Sequence, residues 1–233
     1  MKDIQALVDE YYEKFYSSVH DIQWKQTFYS PHRFIERRYK SEDYFSKVLE
    51  VGGDKGQHLE FINHKYDTYI VSDLRMNASS KMPEVESGDI PPKNGEYFSI
   101  ADATQLKYGS GVFDRVVSGC LLLHLPSTLD VLEEWLRVLK VGGRIDALVP
   151  YDESFLVKFY RVFFSRRRAK RVGFDQFDVI NAFEHVTHAS RILVLAKYSF
   201  PTVTVQVDHF PPLVGRFRPL RAFSVLRITK ERC

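Results

Sequence analysis

The chain has 233 residues, with 33 basic and 30 acidic side chains and a formal net charge of +3. Hydrophobic residues make up 44% and charged residues 27%, as is ordinary for a globular protein. This balance excludes polyanion binding by net charge alone. Cys120 lies in an apolar run and Cys233 is the last residue, so no disulfide framework is expected. The residues from Met1 to Gln5 contain no apolar signal core, so we expect a cytoplasmic, reduced protein.

Helical spacing near the N-terminus gives way to short apolar runs. Residues 1–45 are predicted to be helical, because apolar side chains recur at helical intervals from Ile4 to Phe15. Residues 74–95 are rich in Ser, Pro, Gly and Asn and predict a loop. The apolar runs predict five strands, at residues 47–51, 69–73, 97–100, 112–118 and 144–150.

A helix is predicted between the fourth and fifth of these strands. Ser127 or Thr128 can cap its beginning, and apolar residues between Leu129 and Leu139 share one face. The pair Gly142-Gly143 predicts its end, since glycine commonly follows the last helical turn.

The C-terminal part has a different pattern. Residues 202–207 alternate between valine and polar side chains, and residues 223–228 form another apolar run. We interpret these two segments as an antiparallel strand pair. The whole order predicts an α/β, Rossmann-like three-layer fold with a mostly parallel sheet and an antiparallel C-terminal strand pair.

A glycine-rich turn follows the first predicted strand, in the segment from Glu50 to Gly56. Glycine lets the backbone approach a ligand closely, and free N–H groups at such a turn can bind it. Asp54 stands where the dinucleotide fingerprint G-x-G-x-x-G needs its second glycine, so that fingerprint fails.

Two aspartates follow the next strands in the same way. Asp73 ends the second predicted strand and Asp102 follows the third, so both are expected at the edge of the sheet that holds the glycine turn. An aspartate at the end of a strand can accept hydrogen bonds from a ribose. Each can also simply cap a turn, and the residues alone leave both interpretations open.

Together these segments resemble class I S-adenosylmethionine-dependent methyltransferases over about residues 45–150. The segments that carry the resemblance are residues 50–56, Asp73, Ala101-Asp102-Ala103, residues 113–118 with Leu123-His124-Leu125-Pro126, and residues 136–144. The resemblance implies the same fold and S-adenosylmethionine as cofactor.

The resemblance also assigns roles to single residues. It implies that Glu50, Gly52 and Gly56 shape the methionine side of the pocket, that Asp73 holds the ribose, and that Asp102 holds the adenine amino group. The other residues of these motifs expected at the cofactor are Gly53, Ala103 and Ser118. Asp54 departs from the family pattern, but aspartate tolerates left-handed geometry, so we expect the turn to be kept.

The chain then divides within one methyltransferase domain, residues 1–233. Its expected parts are a helical cap (1–45), a cofactor-binding core (46–150), an acceptor-side insertion (151–200) and closing strands (201–233). Methyl transfer from a sulfonium needs mainly alignment of the acceptor, sometimes with a base, so the insertion is where acceptor specificity is expected.

An amphipathic segment begins the insertion. Five apolar residues share a helical face, and a basic run at residues 166–171 follows them; the apolar residues are Phe155, Leu156, Phe159, Tyr160 and Phe163. One interpretation is a core-packing helix with a solvated basic end. The others are an anionic acceptor bound by Arg161, Arg167 and Arg168, or contact with a membrane surface. Nucleic acid is not expected, because no aromatic residues interleave the basic run.

The second feature of the insertion is Glu184-His185-Val186-Thr187-His188. Histidine is the usual general base near neutral pH, so His185 or His188 is a candidate base, with His124 as a competing candidate. The alternative is a cap for a helix at residues 190–197. No third ligand accompanies the two histidines, so no metal is expected.

We therefore predict a methyltransferase acting on a small molecule or glycan, with O-methylation favoured. The basic run and the Glu-His element resemble those of small bacterial methyltransferases of surface-polysaccharide biosynthesis. Two alternatives stay open: an inactive, cofactor-binding regulatory subunit, and a membrane-peripheral methyltransferase acting on a lipid-linked acceptor. The sequence leaves the oligomeric state open.

Overall fold

Seven strands form one sheet in the order β3-β2-β1-β4-β5-β7-β6 in the computed structural model, which describes residues 3–15, 31–75 and 81–232. Strands β1 to β5 are parallel to their neighbours, and β7 runs antiparallel between β5 and β6. The strands are β1 Tyr44–Val51, β2 Lys65–Asp73, β3 Gly95–Ile100, β4 Phe113–Gly119, β5 Leu139–Pro150, β6 Val203–Phe210 and β7 Phe223–Lys230. The predicted α/β fold is confirmed.

Burial explains why the central strands could be recognised. Five residues of the central strands are fully buried: Val48 and Leu49 of β1, and Tyr69, Ile70 and Val71 of β2. Central strands of a parallel sheet are covered on both faces, so they appear in the sequence as continuous apolar runs. The first residues of both strands are polar or partly exposed, which is why the apolar runs begin later than the strands.

The helical elements lie between and around the strands. The α-helices are Ile4–Glu10, Thr128–Val138, Phe155–Tyr160, Arg166–Arg171, Phe177–Glu184 and Ala189–Tyr198, with π-helical turns at Tyr11–Phe15 and Arg161–Ser165. Short 3-10 helices cover Gln57–Phe61, Leu121–His124, Val214–Arg216 and Arg218–Leu220. Residues 31–36 are also helical, whereas residues 16–30 of the predicted N-terminal helices lie outside the described part. Across the described ranges, no helix is both long and apolar enough to cross a membrane.

The pair Gly142-Gly143 does not end a helix, so that prediction is wrong. The helix ends at Val138, and β5 begins at the next residue and contains both glycines. Gly142 has a φ of +81°, and the pairing of β4 with β5 shifts register beside it. A Cβ on Gly143 would lie 2.9 Å from the carbonyl oxygen of Lys140. The glycines therefore allow an irregular strand, a second common use of glycine that sequence alone does not separate from a helix end.

The N-terminal cap of this helix also differs from the sequence expectation. Ser127 occupies the cap position, but its side chain makes no capping hydrogen bond. Burial of Val131, Leu132 and Trp135 instead fixes the helix on the sheet. Packing of an apolar face, rather than a cap, is the usual main source of helix stability in a folded domain.

Both faces of the sheet are covered. Trp135 and Ile192, from two helices, belong to the apolar cluster on one side, and Phe34 and Ile35 belong to the cluster on the other. A third, separate cluster joins the N-terminal helix to the chain after β5; its buried members are Leu7, Val8, Tyr11, Ala169, Phe174, Phe177 and Ile180. This cluster holds the N-terminal helix beside residues 169–180, which lie in the segment predicted from the sequence to face the acceptor.

A buried ionic network fixes residues 34–38 on the sheet. Arg115 of β4 is 0% exposed and donates to Asp146 of β5 at 2.9 Å and to Glu36 at 2.6 Å. Arg227 of β7 donates to the same Asp146 at 2.5 Å and to Asp208 of β6 at 2.8 Å. Each buried charge therefore has an opposite charge within hydrogen-bonding distance, the condition under which burial of charge is tolerated.

Candidate active site

The glycine turn after β1, residues 52–56, is built from left-handed backbone. Gly52, Asp54 and Gly56 have φ angles of +72°, +47° and +77°. The N–H groups of Gly52 and Gly53 donate to the carbonyl of Ser72 at 2.8 and 3.1 Å, which fastens the turn to β2. Asp54 adopts the left-handed geometry that the sequence led us to expect, so the turn is kept without the family's middle glycine.

Gly53 allows the turn to pack directly on the strands. A Cβ at this position would lie 2.6 Å from Val71 Cγ1 and 2.8 Å from the carboxyl carbon of Glu50. Glu50 itself is 4% exposed, and the Tyr69 hydroxyl donates to it at 3.0 Å. Burial raises the pKa of Glu50 to about 7, against the opposing effects of His58 and Tyr69. Glu50 therefore supports the turn from beneath.

Asp73 lies at the end of β2 and beside the turn. Its carboxylate accepts hydrogen bonds from the backbone N–H of Asp54 at 3.0 Å and from that of Leu74 at 2.8 Å. Burial raises the pKa of Asp73 despite these hydrogen bonds. The carboxylate is thus placed at the expected edge of the sheet and also organises the glycine turn.

The third expected element, Ala101-Asp102-Ala103, follows β3 at the same edge. The Asp102 carboxylate accepts from the N–H and the hydroxyl of Thr104 at 2.8 and 2.7 Å, so it caps a turn in this structure. Trp135 donates from its indole N–H to the carbonyl of Ala103 at 3.1 Å. A buried helix therefore fixes the position of this loop.

Ser118 belongs to the expected cofactor residues but lies inside the sheet. It is 1% exposed, and its hydroxyl donates to the carbonyl of Val51 at 2.9 Å. The bond ties β4 to the last residue before the glycine turn. Two positions later, Cys120 has a φ of +64°, and it is with Asp54 one of two non-glycine residues at positive φ among those described. Both lie at this edge, where strained backbone commonly marks a functional site.

His124 and His185 come together at the same edge of the sheet, after β4 and after the basic segment. Their ring centroids lie 4.8 Å apart in an edge-to-face arrangement. The N–H groups of Val186 and Thr187 donate to the carbonyl of Leu123, which holds the two loops together. The sequence predicted both histidines as candidate bases, and the fold places them side by side although they are far apart in the chain.

Each of these imidazoles contacts a different carboxylate. His185 Nδ1 is hydrogen-bonded to Asp152, and Arg161 forms an ion pair with the same carboxylate at 3.0 Å. Burial alone raises the pKa of Asp152, but His185 and Arg161 outweigh burial and hold that pKa below its usual range. Arg161, predicted as an acceptor contact, thereby lies beside a candidate base.

Glu184 is the carboxylate beside the other ring. Its Oε2 lies 3.4 Å from His124 Nδ1 and accepts a hydrogen bond from the Tyr12 hydroxyl at 2.8 Å. The hydrogen bond from His124 lowers the pKa of Glu184. We refer to His124, His185, Asp152 and Glu184 as the histidine cluster.

His188 has a different place. It occupies the N-cap position of the helix Ala189–Tyr198, and its Nδ1 accepts from the N–H of Arg191 at 3.3 Å. The alternative that the sequence left open, a histidine cap before this helix, describes His188. His185 lies in the histidine cluster instead.

Sequence reasoning missed Asp152 and Tyr12. Asp152 follows β5 by two residues, so the strand-end argument that selected Asp73 and Asp102 would also have selected it. No signal in the sequence indicates that Tyr12 reaches Glu184, because that contact spans 172 positions and depends on the packing of the N-terminal helix.

The segment 155–171 is one continuous helical stretch, and we call it the basic helix. Ala169 is its buried member, whereas Phe155 is 66% exposed. The interpretation as a core-packing helix is therefore wrong. Arg167 lies over the ring of Phe163, with its guanidinium carbon 5.3 Å from the centroid, and Arg168 lies one residue further on.

Comparison with known proteins identifies the core of the chain. Residues 49–146 match the family model described as a methyltransferase domain. Residues 49–146 therefore carry a methyltransferase domain. The methyltransferase GfsG of Streptomyces halstedii is 30% identical over 118 residues, which cover 48% of this chain and 41% of that protein. The chain thus spans less than half the length of this curated relative.

Solved structures share the fold of this methyltransferase domain and its flanking segments. The plantazolicin methyltransferase BpumL, in a complex with a monoazolic desmethylPZN analog and SAH, aligns with a TM-score of 0.61 and 14% identity over 98% of this chain and 95% of that one. The N-methyltransferase NodS of Bradyrhizobium japonicum WM9 aligns with a TM-score of 0.54 and 13% identity over 91% and 99%. The solved structures confirm the fold, and with the family-model match at residues 49–146 the resemblance to class I S-adenosylmethionine-dependent methyltransferases is confirmed for that segment.

Proposed function

We propose that this protein is an S-adenosylmethionine-dependent methyltransferase whose active site lies at the carboxyl edge of the sheet. The observation that carries the proposal is the convergence there of the glycine turn, Asp73 and the histidine cluster. The methyltransferase-domain match supports the cofactor, and similar folds have been solved with SAH. In open α/β sheets, ligands bind outside the carboxyl ends of the strands.

The residues at this edge fit the cofactor. The left-handed backbone at Gly52 and Gly56, and the close packing of Gly53 on the strands, form a tight turn next to Asp73. The Asp73 carboxylate has the chemistry to accept both hydroxyl protons of a ribose. The Asp102 carboxylate has the chemistry to accept a hydrogen bond from an adenine amino group through Oδ2, because both hydrogen bonds from Thr104 go to Oδ1. When bound, the cofactor supplies a methyl group already activated on a sulfonium.

The chain itself has then to align an acceptor and take its proton. The hydrogen bond between His185 Nδ1 and Asp152 favours the tautomer with the proton on Nδ1, so Nε2 is the nitrogen that can accept a proton. Asp152 also stabilises the imidazolium that forms. Arg161, paired with Asp152, restricts the rotation of the carboxylate and so of the ring.

A hydroxyl acceptor fits this arrangement best, on a small molecule or a glycan. A hydroxyl is a poor nucleophile at neutral pH, and removal of its proton is the help that an imidazole–carboxylate pair gives. Arg161 at the same site favours an acceptor that carries negative charge nearby. A polysaccharide precursor is one acceptor class with both features.

The test starts with the cofactor. Calorimetry with S-adenosylhomocysteine is expected to show binding, and Asp73→Ala is expected to weaken it by about 1.5–3 kcal/mol, the range for a hydrogen bond to a charged group. NAD serves as the control ligand. Binding of NAD in place of S-adenosylhomocysteine overturns the proposal.

The acceptor requires a second experiment. Hydroxyl-bearing sugars, sugar phosphates and small phenols are incubated with labelled cofactor, and mass spectrometry detects a methyl increment. Transfer to an amine but not to any hydroxyl overturns the hydroxyl assignment. Cofactor binding without transfer to any acceptor favours the regulatory-subunit alternative.

A further inference from the structure

The basic helix carries an aromatic stripe that faces outward. Phe155, Phe159 and Phe163 follow one another at intervals of four residues, with ring centroids 6.3 and 4.4 Å apart. They are 66%, 44% and 42% exposed. Arg167 continues the stripe by lying over Phe163. Four successive helical positions on one face therefore present three phenylalanines and one guanidinium.

A second exposed apolar group lies in the loop between β6 and β7, residues 211–222. Leu213 is 81% exposed, Phe217 69% and Leu220 40%. Because β7 begins opposite the last residue of β5, this loop lies at the carboxyl edge of the sheet, where the basic helix also begins.

The two apolar groups are neighbours. Phe155 and Lys158 of the basic helix line one groove together with Arg218 and Pro219 of the loop. We call the combined area, from Phe163 to the loop, the aromatic face. Monomeric proteins rarely expose an apolar area of this kind unless it binds something.

Basic side chains outnumber acidic ones beside the aromatic face, where Glu153 also lines the groove. Exposed basic side chains flank it on both elements: Arg166, Arg167, Lys170 and Arg171 on the basic helix, and Arg216 and Arg218 in the loop. Of these, Arg166 forms an ion pair with Asp178. Apolar side chains flanked by cations complement a surface that is apolar below and anionic above, which is the interface of an anionic phospholipid bilayer.

We infer that the aromatic face docks on an anionic membrane surface, with its phenylalanines in the headgroup–acyl boundary and its arginines on lipid phosphates. A soluble anionic acceptor would use the arginines but would leave the phenylalanines in water. Docking there places the carboxyl edge of the sheet next to the bilayer. That orientation gives lipid-linked acceptors access to the histidine cluster, a consequence that rests on the proposed function.

The inference is tested by co-sedimentation of the full chain with vesicles. Vesicles of phosphatidylcholine alone are compared with vesicles that contain about 30 mol% phosphatidylglycerol. We expect binding to the anionic vesicles that weakens as salt rises to about 0.5 M, because screening shortens the range of the attraction. Wild-type protein that does not sediment with anionic vesicles overturns the inference.

Two variants separate the apolar and the electrostatic contributions. Phe159→Ser with Phe163→Ser is expected to lower the bound fraction at every salt concentration. Arg167→Glu with Arg171→Glu is expected to weaken partitioning by about 25-fold or more, since each basic residue near an anionic surface contributes about fivefold. Unchanged binding by both variants overturns the inference.

The matched control reverses the same number of charges elsewhere. Lys40 and Lys65 are exposed at the amino edge of the sheet, so Lys40→Glu with Lys65→Glu should leave partitioning within about twofold of wild type. An equal loss in this control shows attraction by net charge and overturns docking by the aromatic face.

Folding and the proposed function are followed separately. Melting temperature and S-adenosylhomocysteine affinity are measured for each variant, and both are expected to match wild type. A large fall in melting temperature for Phe159→Ser with Phe163→Ser, together with no vesicle binding by wild type, shows that the stripe is covered by protein and overturns docking. Vesicle binding without S-adenosylhomocysteine binding supports docking and contradicts the proposed function alone.

Discussion

The imidazole rings of His124 and His185 lie edge to face, with their centroids 4.8 Å apart, and each contacts its own carboxylate. His185 pairs with Asp152, and His124 lies beside Glu184. Two imidazole–carboxylate pairs thus face each other where the loops after β4 and β5 meet. Their separate partners make the two rings distinguishable by mutation.

Replacing His185 by Gln is expected to lower kcat by about 10²–10⁴-fold, the usual contribution of a general base. The proposed reason is that Nε2 takes the acceptor proton while Asp152 holds the ring. Asp152→Asn should lose part of this factor, and Asp152→Glu should recover some of it, because a carboxylate is restored. Steady-state kinetics of methyl transfer measure both effects, beside cofactor affinity by calorimetry.

His188→Gln is the matched control for that experiment, since His188 belongs to the same short segment but caps a helix. It should change stability slightly and leave kcat near the wild-type value. A large loss of kcat at His124 or His188, with none at His185, would show that the base has been assigned to the wrong ring.

Gly53→Ala is expected to weaken cofactor binding and to destabilise the fold by about 1–3 kcal/mol, the usual cost of overpacking. The added Cβ would lie 2.6 Å from Val71 Cγ1, so the glycine turn must shift away from the strands. Gly109→Ala is the control, because its Cβ would meet Val112 at an ordinary 3.7 Å. Calorimetry and thermal melting measure both variants, and equal effects would contradict the close-packing argument.

The free energy of unfolding of Glu50→Gln, minus that of wild type, is expected to increase as the pH rises, because wild type loses stability and the glutamine does not titrate. The folded protein keeps Glu50 protonated up to about pH 7, whereas an ordinary glutamate has a pKa of 4.5. The stability that the neutral carboxyl contributes is therefore present below pH 4.5 and is lost as the pH rises through 7. The difference in unfolding free energy between the variant and wild type should therefore grow by up to about 3 kcal/mol between pH 4.5 and 7.

Urea denaturation of both proteins between pH 5 and 8 measures that difference. Subtracting the two curves removes the contributions of the other titrating groups, which both proteins share. A difference that stays constant over this range would show that Glu50 is ionised in the folded protein, contrary to the effect of its burial.

Glu36→Ala is expected to destabilise the fold by about 3–5 kcal/mol, because it leaves Arg115 buried with one partner fewer. Glu42→Ala is the control, since Glu42 forms an exposed ion pair with Lys40 at 3.9 Å and should cost at most about 1 kcal/mol. Chemical denaturation measures both variants. Equal losses would contradict the importance of the buried network.

The contribution of Glu36 to stability depends on pH with the opposite sign to that of Glu50. Burial alone raises the pKa of Glu36, but Arg115 and His58 outweigh it and lower the pKa to about 2. Its contribution is present above pH 4.5 and is lost as the pH falls towards 2. Wild type should therefore lose stability over this acid range more steeply than Glu36→Ala.

The fold could be predicted largely because its signals are local. Apolar runs such as residues 48–51 and 69–73 can be recognised as buried strands from their composition. The order of the strands along the chain then limits the possible topologies. The prediction that Gly142-Gly143 ends a helix was wrong because glycine is common both after a helix and in an irregular strand. Pairing of β5 with β4 and β7 decided between them, and that pairing involves residues far along the chain.

The positions of the residues expected at the cofactor could be predicted better than the positions of those expected at the acceptor. Asp73 and Asp102 could be placed because strand ends share one edge. The pairing of His185 with Asp152 spans 33 positions and depends on how the chain returns after the basic helix. The exposure of Phe155 and Phe159 could not be predicted from the sequence either. Helical spacing shows that side chains share a face, but it does not show whether other residues cover that face.

The ion pairs of Arg115 and Asp146 bear on where the cooperative folding unit ends. Both residues lie within 49–146, yet each has a partner outside it: Glu36 before β1 and Arg227 in β7. A fragment limited to 49–146 would bury both charges with those partners missing. The segment that matches the methyltransferase-domain model is therefore smaller than the unit that unfolds. Amides of β7 should exchange with solvent in the same global opening as those of β4.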